Sequence, residues 1–437
     1  MGRPAARRSA AALALVLLAT TGACTASPDD KGGAAPRPTA SPSVAPSRSS
    51  APTFERTIAP GVGYQESTRR GPAGPVRIAV LRVAPDAEAR LTAVHGRTLA
   101  VPQTVRQVAG RVGALAAVNG SYFDIQGGKA FGGYQGDPVG LYAEGGRLLS
   151  EARNDGAALL LGQKDGRIEA RITEVSTRGR ITAGDGAARP LDGVDRVTGR
   201  LRACGGADSA RLAAEGRPLR KDARTGLCSD PDEIVEYTSD WGVDTPGGRR
   251  DGVEAVLAQD GTVRRLRSPG SGPVPRGTRV LQGIGAGADW LRDHARTGER
   301  LDVAMPMTDP DGTDLTGLVD SAIGGGARLL ENGRVALGER ELAAADRPPR
   351  TLAGVTADGA VLLVTVDGRD PGVSEGATLA ESAELLRSLG AVDGLNLDGG
   401  GSTSMVVDGE LRNSPREAAG DPVGERKVAT AIAVLPR

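Results

Sequence analysis

The 437-residue chain is long enough to bury the cores of two or three domains. Lys and Arg total 54 and Asp and Glu total 54, so a formal net charge of zero gives no reason to expect nucleic acid or an anionic membrane surface as the main partner. The 64 Gly, 28 Pro and 2% aromatic residues favour many turns over long helices. His95 and His294 are the only histidines, which argues against a multi-histidine metal site.

The first residues have the pattern of an export signal. Arginines precede the apolar run 10–19, which is too short to be a good membrane span. Small residues then lead to Cys24, as in a bacterial lipobox, where this cysteine is lipidated and becomes the new N-terminus. We expect residues 1–24 to be a signal peptide and the protein to be lipid-anchored on the outer face of the bacterial cell membrane. Plain secretion and a twin-arginine signal at Arg7 and Arg8 are the alternatives.

Residues 25–52 are rich in Ser, Pro, Ala and Thr and contain almost no large apolar side chains. Such a segment cannot bury enough surface to offset the entropy of ordering, so it is predicted to be a disordered tether. Export also bears on the two remaining cysteines, Cys204 and Cys228, because an oxidising compartment would allow them to form a disulfide. The alternative is two free buried thiols.

From residue 53 onward the chain is predicted to be globular, beginning with a strand-rich segment at 53–98. Asp-Gly or Asn-Gly dipeptides stand repeatedly between apolar or alternating runs, which is the strongest short-range signal for a β-hairpin. The pattern therefore predicts a sheet-rich fold with antiparallel hairpins at five dipeptides: Asp165-Gly166, Asp260-Gly261, Asn332-Gly333, Asp358-Gly359 and Asp408-Gly409.

One region combines a strand, a helix and a second strand. The apolar run 361–366 is followed by a helix that begins at Thr378 with a capping box and ends at Gly390, and then by a short strand at 395–397. Strands connected in this way run parallel. The predicted fold class is therefore mixed α/β (α+β), with a βαβ unit among the hairpins.

This unit places two carboxylates at one edge of the sheet. Asp367 and Asp398 follow the two strands, and ligands bind at the carboxyl ends of parallel strands in such units. The earlier stretch 105–119 repeats the order helix, Gly, apolar strand and polar residue, so Asn119 is predicted to occupy a position equivalent to the end of the second strand. Two loops are then expected to face one cleft.

Five motifs, in this order along the chain, resemble the phosphodiester glycosidase family. The resemblance covers about residues 99–437, with an insertion near 172–232 that contains both later cysteines. It implies a hydrolase that cleaves glycosyl phosphodiesters or related envelope and exopolysaccharide glycans. The motifs are "AAVNGSYFD", "AIGGG", "RPPRTLAGVTADG", "VTVDGR" and "LNLDGGGSTSMVV".

The same residues suit the chemistry of a sugar-1-phosphodiester, which presents an anion and an acetal carbon. Asp367 and Asp398 supply carboxylates for proton transfer or oxocarbenium stabilisation. Arg350 and Arg369 supply bidentate forks for phosphate. Backbone N–H groups and hydroxyls complete the predicted substrate site, which comprises Asn119, Arg350, Arg369, Gly399, Gly400, Gly401, Ser402 and Thr403.

Simpler structural roles are open for several of these residues. Asp367 and Asp398 precede glycine and are compatible with hairpin turns, Arg369 with a surface ion pair, and Asn119 with a turn of positive φ. Half of the ten aromatic residues lie within 21 residues and form either a sugar-stacking wall or local core. They are Tyr122, Phe123, Phe131, Tyr134 and Tyr142, with Asp124 and Asp137 as weaker candidates for substrate or cation contact.

No cofactor is required by this chemistry, although carboxylates and carbonyls near Asp398 also suit Ca²⁺. We expect a monomer whose partner is a glycan or sugar phosphate, with membrane contact only through the lipid anchor and no nucleic acid. A different class of function is a catalytically silent, glycan-binding envelope lipoprotein on the same scaffold. It would need the aromatic wall and the glycine loop but not both carboxylates. A structural envelope protein is a third possibility.

Overall fold

The computed structural model describes residues 56–125, 136–154, 156–200, 210, 212–221, 228–247, 251–268 and 270–437. The predicted signal peptide 1–24 with Cys24 and the predicted tether 25–52 lie outside these residues, as do Cys204, Phe131 and Tyr134. Within the described ranges, no helix is both long and apolar enough to cross a membrane.

Strands dominate the described chain. Those of its first half are β1 (Arg56–Ala59), β2 (Val62–Gly71), β3 (Gly74–Val83), β4 (Ala89–His95), β5 (Ala116–Asn119), β6 (Tyr142–Glu144), β7 (Arg147–Ser150), β8 (Ala157–Lys164), β9 (Arg167–Glu174), β10 (Ser176–Thr177), β11 (Arg180–Thr182), β12 (Ala188–Arg189), β13 (Gly193–Val194), β14 (Arg220–Lys221) and β15 (Cys228–Ser229). Those of its second half are β16 (Ile234–Tyr237), β17 (Val253–Ala258), β18 (Val263–Arg267), β19 (Thr278–Gly283), β20 (Asp302–Ala304), β21 (Met307–Thr308), β22 (Ser321–Gly324), β23 (Arg328–Glu331), β24 (Arg334–Val335), β25 (Arg350–Thr356), β26 (Val361–Val366), β27 (Ala391–Asn396), β28 (Met405–Val407), β29 (Glu410–Leu411) and β30 (Thr430–Pro436). The helices are α1 (Val105–Val112), α2 (Ala286–His294), α3 (Glu339–Ala343) and α4 (Leu379–Ser388), with a 3₁₀ turn at Gly400–Ser402.

Three sheets surround the main core. The largest has eight strands in the order β1-β2-β3-β26-β25-β27-β23-β24, and two others have five strands each, in the orders β29-β28-β5-β30-β4 and β7-β6-β22-β8-β9. Fully buried side chains from all three pack into one apolar cluster. Its members include Leu81, Leu363 and Leu395 of the eight-stranded sheet, Val118 and Ile432 of the second sheet, and Leu159 and Ile323 of the third.

The five predicted hairpins are confirmed. They connect β8 with β9, β17 with β18, β23 with β24, β25 with β26, and β28 with β29. At three of the turns both central residues have positive φ, as a type I′ turn requires: Asp165, Asn332 and Asp408 have φ of 50°, 50° and 51°, and the glycine that follows each is also positive. Local turn chemistry therefore determines these pairings.

The predicted strand, helix and strand are present as β26, α4 and β27. Both strands pair antiparallel with β25, so they run parallel to each other with β25 between them. Thr378 caps α4, and Glu381 completes the capping box. Leu386 packs from α4 onto the face of the eight-stranded sheet opposite the main core. The sheet-rich antiparallel part of the predicted fold is thus confirmed, and the βαβ unit is divided by an intervening strand.

The earlier helix and strand have the same local design. Thr104 and Gln107 form a capping box at the start of α1, and Gly113 ends the helix in the left-handed conformation with φ of 66°. The chain then enters β5, which ends at Asn119 in the second sheet rather than beside β27. The two similar units therefore bring the ends of two different sheets together.

A separate part of the fold, the extra layer, follows β9 of the third sheet along the chain. β10 pairs with β21, and the chain between them forms a five-stranded sheet with the order β13-β16-β19-β17-β18, covered by α2. This part has its own apolar cluster, which extends from Ile181 to Val303 and includes Leu257, Leu281 and Leu291. The predicted insertion at 172–232 overlaps only the first part of this layer.

Candidate active site

The glycines at 399–401 lie where the chain makes three close approaches. A Cβ on the first would be 2.8 Å from the carbonyl oxygen of Pro349. The second has φ of +62°, and its Cβ would be 3.1 Å from the guanidinium of Arg369. A Cβ on the third would be 2.7 Å from the carboxylate oxygens of Glu417. Larger residues would displace a strand end or one of these charged groups, which explains the three glycines in succession.

Most backbone N–H groups of this loop are used within the protein. Those of Gly400, Ser402 and Thr403 donate to backbone carbonyl oxygens at 2.8, 3.2 and 3.2 Å. The Gly401 N–H has no hydrogen-bond partner among the described residues. The open anion nest predicted at 399–401 is therefore not formed by consecutive free N–H groups. Packing and the tight turn account for the glycines instead.

Asp398 is buried directly after β27. Its side chain is 9% exposed and accepts hydrogen bonds from the Ser402 hydroxyl and the Gly399 N–H. Burial raises the pKa of Asp398 to about 6, although the Ser402 bond and the positive charge of Arg426 lower it. A buried carboxyl that titrates near neutral pH is the kind of group that transfers protons in catalysis.

Asn119 connects the end of β5 directly to Asp398 and Ser404, which flank the glycine loop 399–401. It is fully buried, and its Nδ2 donates to the carbonyl oxygen of Asp398 at 2.6 Å. Its Oδ1 accepts from the Thr351 hydroxyl at 2.6 Å and from the Ser404 N–H at 3.0 Å. The alternative role in a turn of positive φ is wrong, because Asn119 ends β5 and is absent from the residues of positive φ. In this structure Asn119 positions the glycine loop.

Tyr122 interacts electrostatically with both Asp398 and Arg350. Arg350 is 8% exposed, and its Nε donates to the carbonyl oxygen of Ala377 at 2.9 Å. Burial lowers the pKa of Arg350. Burial and then the charge of Asp398 raise the pKa of Tyr122 to about 12, while the Arg350 charge lowers it. The Tyr122 hydroxyl accepts from Asn396 at 2.7 Å. A phenol, a guanidinium and a carboxyl therefore share one electrostatic environment.

Arg369 holds the chain that follows the glycine loop. Its backbone has φ of 60°, and its Nη1 donates to the carbonyl oxygens of Arg416, at 2.9 Å, and Glu417. The alternative role in a surface ion pair does not apply among the described residues, because these partners are carbonyls. Arg369 thus lies beside Gly400 and ties segment 413–428 to it.

Asp367 has a different set of partners. It is 6% exposed, and its carboxylate accepts from Asn413 Nδ2 and the Ser414 N–H, both at 3.0 Å. Burial raises the pKa of Asp367 above its usual value. Neither Asp367 nor Asp398 lies in a hairpin turn, so the turn-former alternative is wrong for both. Asn413 also donates to the Thr403 carbonyl at 2.9 Å, and this amide is the link between Asp367 and the glycine loop.

Sequence reasoning missed the charged residues of segment 413–428. Arg426 forms an ion pair with Glu417, with Nε 2.7 Å from Oε1, and its Nη1 donates to the Ser402 hydroxyl at 3.3 Å. Nothing in the local pattern distinguishes these residues from the other charged residues of a polar loop. Their proximity to Gly401 is the only signal, and it exists only in the folded chain.

The remaining candidates that the structure describes lie elsewhere. Tyr142 is fully buried in the main core, and Phe123 packs beside α1. Asp124 and Asp137 pair with Arg200, at 3.6 and 2.6 Å, and so connect the extra layer to the loop after Asn119. Core packing and internal ion pairs thus account for these residues, and among the described candidates Tyr122 is the aromatic residue that interacts with Asp398.

Two further expectations from the sequence concern the cysteine pair and a bound cation. Cys228 is buried at the start of β15, but Cys204 lies outside the described residues, so their disulfide stays a prediction. Among the described residues, no group of three or more His, Cys, Asp or Glu side chains is arranged to hold a metal ion.

Comparison with known proteins gives a family match for the C-terminal part. Residues 251–435 match the family model described as phosphodiester glycosidase. The N-acetylglucosamine-1-phosphodiester alpha-N-acetylglucosaminidase of Mus musculus is 36% identical over 87 residues. The match spans 20% of this chain and 16% of that curated relative.

Two solved structures resemble a larger part of the chain. A Burkholderia pseudomallei protein, provisionally described as exported, has 30% identity and a TM-score of 0.69, with 83% of this chain and 74% of that chain covered. A hypothetical protein from Synechocystis has 20% identity and a TM-score of 0.62, covering 86% and 62%, and shows the fold alone. The family model's range, residues 251–435, includes Arg350, Asp367, Arg369 and the glycine loop, whereas Asn119 precedes it. The resemblance to the phosphodiester glycosidase family is therefore confirmed over residues 251–435.

Proposed function

We propose that this protein is an exported hydrolase that cleaves glycosyl phosphodiesters, with Asp398 as its proton-transferring carboxyl. The observation that carries the proposal is the burial of Asp398 in the family's glycine-rich motif, with a pKa of about 6. Such a group is mostly ionised at neutral pH and basic enough to accept a proton.

Asp398 is assigned the role of base because a phosphate is already a good leaving group. Hydrolysis moves the oxygen of water to the anomeric carbon, breaks the bond from that carbon to the phosphate oxygen, and releases a sugar and a phosphate monoester. The water proton passes to the Asp398 carboxylate. Asp367 is the second carboxylate of the proposal, and its charge supports the oxocarbenium-like transition state.

Arg350 is the arginine assigned to the phosphate. Its Nε is occupied by Ala377, and its Nη2 is 3.6 Å from Asp346, whose side chain is 69% exposed. An exposed partner at that distance is readily replaced by a phosphate oxygen. Arg369 instead donates to two backbone carbonyls and is assigned the support of the loop.

Product analysis on a panel of sugar-1-phosphodiesters tests the proposal, with and without a chelator. We expect release of free sugar and phosphate monoester. Asp398→Asn and Asp367→Asn should each reduce kcat at least about a hundredfold, the scale of a lost acid–base group. Asp408→Asn is the matched control, because asparagine suits the type I′ turn at that exposed position.

Unchanged turnover in both aspartate variants would remove these carboxylates from the mechanism. Binding of the panel without any hydrolysis would favour the glycan-binding alternative. Export and anchoring are tested by expression of the full chain. Cys24→Ser should move the protein from the membrane fraction to the medium or the soluble fraction if Cys24 is lipidated.

A further inference from the structure

A polar cavity of about 670 Å³ lies beside Asp367. Thr68, Arg77 and Thr365 line it from β2, β3 and β26, on one face of the eight-stranded sheet. Segment 411–414 completes the lining. The volume falls within the range of small-molecule sites, roughly 300–1,000 Å³. It is far larger than a single phosphate or water cluster needs.

Two hydrogen-bonding groups of the lining residues are buried without a partner in the described structure. Thr365 is 1% exposed, and its Oγ1 makes no hydrogen bond. The Nε of Arg412 is also buried and unpaired, although its Nη2 pairs with Glu410 at 2.9 Å. Leaving such a group unsatisfied costs about 1–3 kcal/mol. Both residues line the cavity, so an acceptor oxygen placed beside them there would supply the missing partner.

The charges in the cavity also favour an acceptor-rich ligand. Arg77 is exposed, and among the described residues it has no carboxylate partner within ion-pair distance. The Asp367 carboxylate is already bonded to Asn413 and Ser414, and Glu66 accepts from the Tyr64 hydroxyl. The unused capacity is therefore on the donors, whereas Thr68 and Ser414 suit the hydroxyls of a sugar.

We propose that this cavity binds a sugar ring that carries an anionic substituent, either phosphate or carboxylate. The guanidinium groups of Arg77 and Arg412 hold the anion, and Thr365 donates to the ring or its substituent. The ring belongs to the substrate, and in this respect the inference rests on the proposed function. Asn413 bonds both Asp367 and the Thr403 carbonyl, so the cavity and the glycine loop share one wall.

Equilibrium binding by titration calorimetry tests the assignment in the purified protein. The probes are glucose 6-phosphate, glucuronic acid, glucose and inorganic phosphate, none of which is a glycosyl phosphodiester. We expect at least one anionic sugar to bind about tenfold or more tightly than glucose and inorganic phosphate, and the tighter of the two identifies the anion. Equal affinity for inorganic phosphate or for glucose would overturn the proposal.

Variants distinguish ligand binding in the cavity from binding elsewhere on the surface. Arg77→Gln and Thr365→Val should each weaken binding of the preferred anionic sugar about tenfold. Arg82→Gln, on the same strand and paired with Asp358 outside the cavity, should leave it unchanged. Thr365→Val removes an unpaired hydroxyl and should not lower the Tm, so lost binding cannot be assigned to unfolding. Equal affinities for the Arg77 and Arg82 variants would refute the site.

Asp398→Asn distinguishes this inference from the proposed function, because it should abolish turnover and leave sugar binding unchanged. A protein that binds the anionic sugar but hydrolyses no phosphodiester refutes the proposed function and supports the cavity. A protein that hydrolyses phosphodiesters with the same KM in Arg77→Gln and wild type refutes the cavity as part of the substrate site.

Discussion

Asp398 combines a cost to folding with a use in catalysis. Its pKa is raised by burial, so the folded state binds a proton at pH values where the unfolded state has lost it. The contribution to stability is therefore complete below about pH 4, falls as pH rises, and levels off above about pH 6. Activity should change in the opposite direction, because a base must be ionised.

Asp398→Asn tests both effects. As pH rises from 4 to 7, the free energy of unfolding of the variant should improve relative to wild type by up to about 3 kcal/mol. In wild type, kcat/KM should rise with pH to a plateau above about pH 6. Denaturant unfolding and pH–rate profiles measure the two quantities. A stability difference that does not depend on pH would show that Asp398 titrates normally in the folded state.

We expect the same substitution, arginine to lysine, to have different outcomes at Arg350 and at Arg369. Lysine keeps the charge but loses the planar fork, so Arg350→Lys should lower kcat/KM on phosphodiesters at least about tenfold while sparing neutral aryl glycosides. Arg369→Lys should weaken activity on both substrate types, because it loosens segment 413–428. Arg387→Lys, exposed on α4, is the control. Equal losses on both substrate types for Arg350→Lys would remove it from phosphate recognition.

Among the structural elements, those specified by short-range chemistry are the ones the sequence predicts. The Asp-Gly and Asn-Gly turns and the Thr378 capping box each involve residues within a few positions, and all are present. The same reasoning fails for the N–H groups after Asp398. The Gly400 N–H donates to the Pro349 carbonyl, which is distant in sequence, and the Ser402 and Thr403 N–H groups donate to carbonyls within the loop itself. The position of β25 between β26 and β27 was not predicted either, because pairing order depends on the whole sheet.

The Asn119 side chain links β5 to β25 and to the glycine loop, and one substitution can test this link. Asn119→Ala would leave the Thr351 hydroxyl, the Ser404 N–H and the Asp398 carbonyl without their partner in a fully buried place. We expect a loss of at least about 2 kcal/mol in the free energy of unfolding and a lower kcat for the folded fraction. Chemical denaturation and active-site-normalised kinetics provide the measurements.

Asn154→Ala is the comparison, because Asn154 accepts from the Thr177 N–H at 2.8 Å in a loop away from Asp398. It should cost stability without changing kcat. If Asn119→Ala retained full kcat at equal folded fraction, the amide would not position the glycine loop.

At the scale of the whole molecule, the extra layer between β10 and β21 is the part that sequence reasoning described least. Its own core and buried ion pairs, such as Arg196 with Glu233 at 2.8 Å, make it a folded layer rather than a loose insertion. Short strands with few turn signals gave no basis for drawing its limits. One of its contacts with the loop after Asn119 is made by Arg200, which pairs with Asp124 and Asp137.

The predicted disulfide between Cys204 and Cys228 belongs to this layer. In the chain-entropy view, closing the loop between them stabilises the folded state by about 3 kcal/mol. The segment is rich in Gly, Arg and Asp and poor in large apolar residues, so its composition predicts little core of its own. Reduction should therefore permit early proteolysis between residues 204 and 228, before the main sheets unfold. Arg200 precedes the cut, so its ion pairs should survive and activity should outlast the cleavage.

Mass spectrometry of the exported protein under non-reducing conditions, with alkylation before digestion, measures the bond. Limited proteolysis with and without a reductant then locates the first cut, and a phosphodiester assay follows activity in the same samples. Cys204→Ser with Cys228→Ser should behave like the reduced protein, since both lack the cross-link. Full alkylation of both cysteines in the exported protein would refute the disulfide, and it would weaken the inference that this chain folds in an oxidising compartment.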